Sequence, residues 1–399
     1  MCIYAYSHNA VRINSERITL YALRIFMVDR RILKNFDWSL LFVALVLSLI
    51  GVMTIYSATR PVVDVEQQSF YLKQFYWIGI SLICFFLIVT IDYRWIARSG
   101  YVFFGFGIVL LIIVLIAGRR GLGAQRWLDL GFLSFQPSEF FKIFFVMAFS
   151  RYLSDMKQEA ILGLKDLLKM VFIFFIIPAV LILKQPNLGT VMILLFVFVS
   201  MILTAGVRKK IVVMTIIIGL ISVPFVGNVL WGGLKEYQKN RIVAFANPNV
   251  DPRGVGYNIN QSKVSIGSGG FFGKGYLKGT QGALRFLPER HTDFIFPVFA
   301  EEWGFAGSIV LFIMYLFIIL RGFDTARRAR DLTGSFLAMG VTFMFSFYFI
   351  INIGMTLGMV PVVGVPLPLI SYGGTAFLSN FIALGILTNV RMRRFALFY

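Results

Sequence analysis

The feature that constrains this chain most is a recurring run of mainly apolar residues about 20 long, the length a helix needs to cross roughly 30 Å of hydrocarbon. Such runs fall at 38–59, 72–91, 100–117, 139–153, 168–183, 189–207, 211–231, 296–320, 335–357 and 376–390. Short charged or Gly/Pro-containing pieces separate them, and Pro178, Pro224 and Gly354 interrupt three of them. Of the 399 residues, 58% are hydrophobic and 14% charged, where a soluble domain carries about 25% charge. The same numbers exclude disorder and a fibrous repeat. The expected fold is an all-α membrane protein: a polytopic bundle of about ten transmembrane helices.

The formal charge of +19 raises the question of nucleic acid, which requires a basic patch. The distribution answers it. With the N-terminus inside, the inner connections hold 22 of the 38 Lys and Arg, and the short outer connections hold 7. By the positive-inside rule both termini are cytoplasmic, and no nucleic-acid partner is expected. The other 9 lie in one long outer loop, 232–295. Residues 1–26 carry no signal-peptide core, and the basic opening Met27-Val28-Asp29-Arg30-Arg31 points to Met27 as the native start, with 1–26 an extension. Cys2 and Cys84 indicate neither a disulfide framework nor a zinc site.

Ionisable or conformationally special residues at membrane depth are functional candidates, and four regions hold them. In 118–142, Pro137-Ser138-Glu139 reads as a helix start with Glu139 and Lys142 one turn apart, while Arg126-Trp127 reads as an interfacial segment. A surface ion pair with an aromatic anchor is the competing interpretation. Lys184-Gln185-Pro186-Asn187-Leu188-Gly189-Thr190 reads as a tight outer turn. The long loop carries Arg241, a Gly-rich stretch over 267–275 and Gly279-Thr280-Gln281, then Glu289-Arg290-His291-Thr292-Asp293 before the chain re-enters at Phe294. Its excess of five positive charges would attract an anionic headgroup, and glycines let backbone amides approach phosphate oxygens. Asp293, at a water-to-lipid boundary, suits a general base; a helix N-cap is the alternative. Of Glu301 and Glu302, at most one is expected to face a pocket. In the fourth region, 361–375, three prolines and three glycines make a re-entrant or irregular segment, tolerated only where protein or water satisfies its backbone.

These residues resemble the SEDS family (shape, elongation, division and sporulation) from about Met27 to Arg394. The motifs, in the family's order, are Arg126-Trp127 with Gln136-Pro137-Ser138-Glu139 and Lys142; Gln185-Pro186 with Leu188-Gly189-Thr190; Asp251-Pro252 with Gly256-Tyr257; Gln261-Ser262; Leu287-Pro288-Glu289 with His291-Thr292-Asp293-Phe294-Ile295-Phe296; and Pro368-Leu369-Ile370-Ser371-Tyr372-Gly373-Gly374. The stretch from Gly267 to Gln281 and the entry Asp29-Arg30-Arg31 are similar to the family's elongation branch more than its division branch. One departure is Asn187, where the family usually has Asp, so no charge-dependent role is assigned there.

The resemblance implies a peptidoglycan glycosyltransferase that polymerises lipid II at the outer face of the bacterial cytoplasmic membrane during elongation and rod-shape maintenance, releasing undecaprenyl diphosphate. It implies a single transmembrane domain over 37–394, after a cytoplasmic segment 1–36 and before a tail 395–399. Asp293 matches the family's essential carboxylate and takes the base role. Arg126, Lys142 and Arg241 are the candidates for diphosphate contacts, and Glu139, Gln281, His291, Thr292 and Ser371 for other polar groups of the cavity. A divalent cation, Mg or Mn, could help neutralise the diphosphate, although no metal-ligand spacing is visible. The implied partners are a class B penicillin-binding protein, a transpeptidase, and the elongation machinery. The rival functions are a lipid II flippase, the division paralogue, and a scaffold for the transpeptidase. A transporter would place its special residues near the midplane, whereas here they cluster on the outer side.

Overall fold

The computed structural model describes residues 35–60, 69–121, 124–129, 131, 134–157, 164–206, 232, 236–247, 254–280, 287 and 289–395. In chain order the elements are α1 (Trp38–Thr59), α2 (Phe70–Thr90), α3 (Tyr93–Arg98), α4 (Gly100–Ala117), β1 (Arg119–Gly121), β2 (Ala124–Asp129), β3 (Ser134–Phe135), α5 (Pro137–Lys157), α6 (Leu164–Met170), a π-helical stretch (Val171–Ile176), α7 (Ile177–Lys184), α8 (Leu188–Ala205), α9 (Glu236–Ala246), α10 (Val255–Ser268), α11 (Ile295–Arg327), α12 (Leu332–Thr356) and α13 (Gly374–Met392). Among the described residues, eight helical spans are long and apolar enough to cross a membrane, with the stretch from α6 through α7 counting as one. The expected span at 139–153 is the helix α5, whose 21 residues include charged side chains from Glu139 to Lys157. The expected span at 211–231 lies outside the described residues, as do 1–26 and Gln281.

Because these helices are apolar on every face, lipid and protein surfaces cannot be told apart by polarity, and packing decides which faces are buried. α13 is the most enclosed span, packed along α2, α12 and α5. Its polar end is clamped. Arg391 Nε lies 2.8 Å from Asp37 Oδ2 and its Nη1 2.9 Å from Asp324 Oδ2, tying the last span to the entry of α1 and the far end of α11. Asp37 also caps α1, accepting from Leu40 N–H at 3.2 Å.

Residues 361–373 are non-helical yet largely buried, as the prolines and glycines predict. The backbone is satisfied by protein: Asn352 Nδ2 donates to Val365 O at 2.7 Å, and the Tyr315 hydroxyl donates to Pro368 O. Gly51 and Gly189 let the segment lie directly on α1 and α8, for a β-carbon at either would stand 2.6 Å from Ile370 O or 2.8 Å from Val363 O.

Two parts of the face expected to lie outside differ from expectation. The interfacial segment is a three-stranded antiparallel sheet, β1-β2-β3. The long loop contains helices α9 and α10, missed because the face α10 turns to the bundle is small and polar. Ser262 Oγ donates to Thr356 O at 2.6 Å and Ser265 Oγ to Pro297 O at 3.0 Å. The glycine-rich stretch also does something other than cradle phosphate. α11 breaks at Gly304 (φ 67°, ψ −164°), and the loop fills the break. Lys274 and Gly275 N–H donate to the carbonyls of Glu301 and Glu302, each at 3.0 Å, while Phe305 and Ala306 N–H donate to Gly270 and Phe271 O, each at 2.9 Å. The two bonds a continuous helix would make are thus exchanged for four to the loop. Both Glu301 and Glu302 turn to this loop: Glu301 Oε1 takes Lys274 Nζ at 2.6 Å and Thr280 N–H at 2.7 Å, and Glu302 Oε1 takes Leu277 N–H at 3.2 Å.

Only glycine fits at the break, since a β-carbon on Gly304 would stand 2.3 Å from Gly273 N. Gly304→Ala should therefore lose about 2–3 kcal/mol of stability, read as a lower Tm of the detergent-purified protein; an unchanged Tm would refute the loop docking described.

Candidate active site

The chain approaches α11 through a tight turn. Glu289 sits at φ 51°, and its carbonyl accepts from Thr292 N–H at 3.1 Å and Phe294 N–H at 3.2 Å. The residue at the helix cap is Phe294, with no side-chain cap bond. Asp293 is therefore free of the capping role that competed for it. Its carboxylate faces a cleft of about 350 Å³ between the sheet, α5, α9, the 289–294 turn and the re-entrant segment.

Five of the nine expected site residues line this cleft: Arg126, Glu139, Arg241, Thr292 and Asp293. Arg126 projects from β2, its guanidinium held by the carbonyls of Gln185 (3.2 Å) and Pro186. That accounts for the tight 185–187 turn: it presents two carbonyls to an arginine. Arg241 comes from α9. A β-carbon on Gly364 would lie 3.2 Å from Asp293 Oδ2 and 4.0 Å from Arg241 Nη1, so both side chains converge over a bare stretch of re-entrant backbone. Thr292 Oγ1 donates to Glu289 Oε2 at 3.0 Å.

Three of the other expected residues stand behind the wall. Lys142 is buried beneath it, 2.8 Å from Glu139 Oε2 and 4.4 Å from the centroid of the Tyr348 ring. The Glu139–Lys142 pair is thus interior, not the surface ion pair that was its alternative. The His291 ring packs on Phe70 (centroids 5.0 Å) and Tyr372 (5.9 Å), and burial holds its pKa below the usual value. Ser371 Oγ accepts from Leu367 N–H and donates to Thr292 O, both at 2.7 Å. Gln281 lies outside the described residues.

Sequence reasoning passed over Tyr348, whose hydroxyl points at Glu139 Oε2 from 3.3 Å, and Asn352 one turn on. The available signal was an amide side chain, the one in this span, with a tyrosine four residues before it. Asn187, discounted for lacking charge, also lines the cleft, while its Oδ1 caps α8 by accepting from Thr190 N–H at 3.3 Å.

Electrostatically the cleft is mixed. Burial is the largest influence on Asp293, raising its pKa to about 6; Glu289 and Glu139 push it further up, while Arg241 and Arg126 pull it down. A half-buried carboxylate with its pKa near neutrality, and guanidinium groups on the same wall, can take up a proton and hold an anion side by side. Among the described residues no three His, Cys, Asp or Glu side chains converge as a metal cage.

The family model of the FtsW, RodA and SpoVE cell cycle proteins matches residues 37–395, and the chain belongs to that family. It is 33% identical to the peptidoglycan glycosyltransferase RodA of Treponema pallidum, over 90% of this chain and 98% of that protein. To the peptidoglycan glycosyltransferase MrdB of Escherichia coli K12 it is 39% identical, over 72% of this chain and 76% of the relative. Its fold matches a chain of a solved peptidoglycan synthase complex, studied for the coordination of polymerization and crosslinking. The TM-score is 0.76 at 28% identity, over 90% of this chain and 98% of the other.

The raised pKa has a consequence for stability. The native state keeps the Asp293 proton up to about pH 6, while the unfolded chain releases it near the ordinary value of about 3.9. Stability present below that ordinary value is therefore lost as the pH rises through about 6. Asp293→Asn should melt higher than the parent at pH 7.5, by on the order of 1–2 kcal/mol, and the difference should vanish toward pH 4. Equal melting at both pH values would contradict the burial of this charge.

Proposed function

We propose, from that family membership and from the cleft, that this chain is an elongation-type peptidoglycan glycosyltransferase joining lipid II units into glycan strands. The observation that carries the reading is Asp293, a carboxylate with a pKa of about 6 facing a cleft that Arg126 and Arg241 also line. The acceptor sugar's 4-hydroxyl attacks the anomeric carbon of the donor. Asp293 takes the hydroxyl proton as the new C–O bond forms, the bond from the anomeric carbon to the diphosphate breaks, and undecaprenyl diphosphate leaves with the electron pair. Arg126 and Arg241 stabilise the charge that develops on that leaving group. Glu139, held by Lys142 and Tyr348, and Thr292 shape the wall that orients the sugars.

A divalent cation, on this reading, would enter with the diphosphate and help to neutralise its charge. Both termini are cytoplasmic and the cleft opens outward, supported by the excess of Lys and Arg in the inner connections and by the position of the Asp37–Arg391 clamp at the other end of α1. A class B penicillin-binding protein supplies cross-linking, supported by the likeness to the synthase complex, and the elongation machinery directs both. The single transmembrane domain spans 37–394. The flippase reading is weaker, because the polar residues gather at one end of the bundle instead of at a midplane site.

Asp293→Ala should polymerise lipid II at least about 100-fold more slowly than the parent, measured on the purified full chain with its transpeptidase partner. Near-parental polymer from that variant would sink the base assignment. The base must be ionised, so the parental rate should fall as the pH drops through about 6. In Arg241→Ala the limb should move to higher pH, since a cation favouring the ionised form is gone; a limb moving down would show that Arg241 does not act on Asp293.

A further inference from the structure

Three consecutive carbonyls of the turn bearing Asp293 are each held by a different donor. His291 O accepts from Tyr372 N–H at 2.9 Å, Thr292 O from Ser371 Oγ at 2.7 Å, and Asp293 O from Asn352 Nδ2 at 3.0 Å. Two of these donors belong to the re-entrant segment and its exit. The third comes from near the C-terminal end of the membrane-spanning helix α12 and touches both partners, because the other Nδ2 hydrogen of Asn352 goes to Val365 O at 2.7 Å. The orientation of the amide is therefore set by its surroundings: flipped, its oxygen would face two carbonyls.

Asn352 is fully buried, and its Oδ1 has no hydrogen-bond partner. A buried amide with an unpaired carbonyl is destabilising, and an apolar side chain would suit most positions of this helix face better. Rules of local stability are broken chiefly where function requires it. What Asn352 does with its two hydrogens is join the backbone of Asp293 to Val365, the neighbour of the Gly364 over which the Asp293 carboxylate lies. One side chain thus fixes the carboxylate's own residue relative to the surface it stands on.

We propose that Asn352 is a positioning residue for Asp293, acting with Ser371 to lock the 291–293 backbone against the re-entrant segment so that the carboxylate is held at the reacting hydroxyl. Neither side chain touches substrate in this scheme. The inference rests on the assignment of Asp293 as base.

The test uses Asn352→Leu and Ser371→Ala in the full chain, beside Asp293→Ala, in lipid II polymerisation with the transpeptidase partner. A displacement of about 1 Å of a reacting group costs about 100-fold. Asn352→Leu should therefore lose about that much kcat, with KM for lipid II changed by no more than about twofold, the pattern of an interaction felt only in the transition state. Its pH–rate profile should also shift its acidic limb below the parental position near pH 6, as the released carboxylate turns toward water. Glu289, Glu139, Arg241 and Arg126, the charged groups that bear on it, are unchanged in this variant. A merely structural asparagine would lower the yield of active protein but leave the limb where it was. Parental kcat in folded Asn352→Leu overturns the proposal. If that variant does not fold, Ser371→Ala decides: a loss of kcat with KM retained supports the clamp, and parental kcat overturns it. Full activity in Asp293→Ala would instead remove the base assignment, a failure distinct from that of the clamp.

Discussion

Everything at the end of the bundle that carries the cleft depends on one requirement: non-helical backbone at membrane depth must find its hydrogen bonds inside the protein. Residues 361–373 meet it with partners from three directions: Asn352 on α12 and Tyr315 on α11 donate to its carbonyls, and Ser371 Oγ within the segment accepts from Leu367 N–H. Once those partners are committed, the segment can serve as a rigid floor. Gly364 then lets the Asp293 carboxylate and the Arg241 guanidinium lie over the same bare stretch of backbone.

The same economy explains why charge is tolerated here. Arg126 is held by carbonyls that end α7, and Lys142 by Glu139 and the face of Tyr348. Each cation has a local partner and does not neutralise Asp293 by direct contact. Asp293 is thus left with burial as the dominant influence on its proton, the condition a base working near neutral pH requires. Such a site opposes folding while it serves chemistry, and the clamp at Asp37, Asp324 and Arg391 stands at the far end of the bundle, away from that conflict.

The membrane spans were legible because hydrocarbon imposes a length and excludes charge. The runs at 38–59 and 100–117 coincide with α1 and α4, and others differ by a few residues at their ends. The re-entrant segment was legible because three prolines cannot join a helix ladder. Asp293 could be located, but its choice between cap and cleft could not be read from order along the chain, since one residue of phase at the start of α11 decides it. The sheet over 119–135 was hidden by strands of two to six residues, too short for an alternating pattern. The glycines of 267–275 looked like an anion cradle, because close approach to a phosphate and close approach to a broken helix demand the same absent β-carbon.

The break at Gly304 divides α11 unequally. The outer piece, from Ile295 to the break, is bonded through Glu301 and Glu302 to the loop as firmly as to its own continuation. Mechanically, this short piece and the loop form one block, and Asp293 stands on the edge of it, two residues before the block begins. A push or pull on the outer loop is therefore delivered to the carboxylate through a stiff lever about 13 Å long. The long inner part of the helix, embedded in lipid, acts as the mounting on which that lever rests.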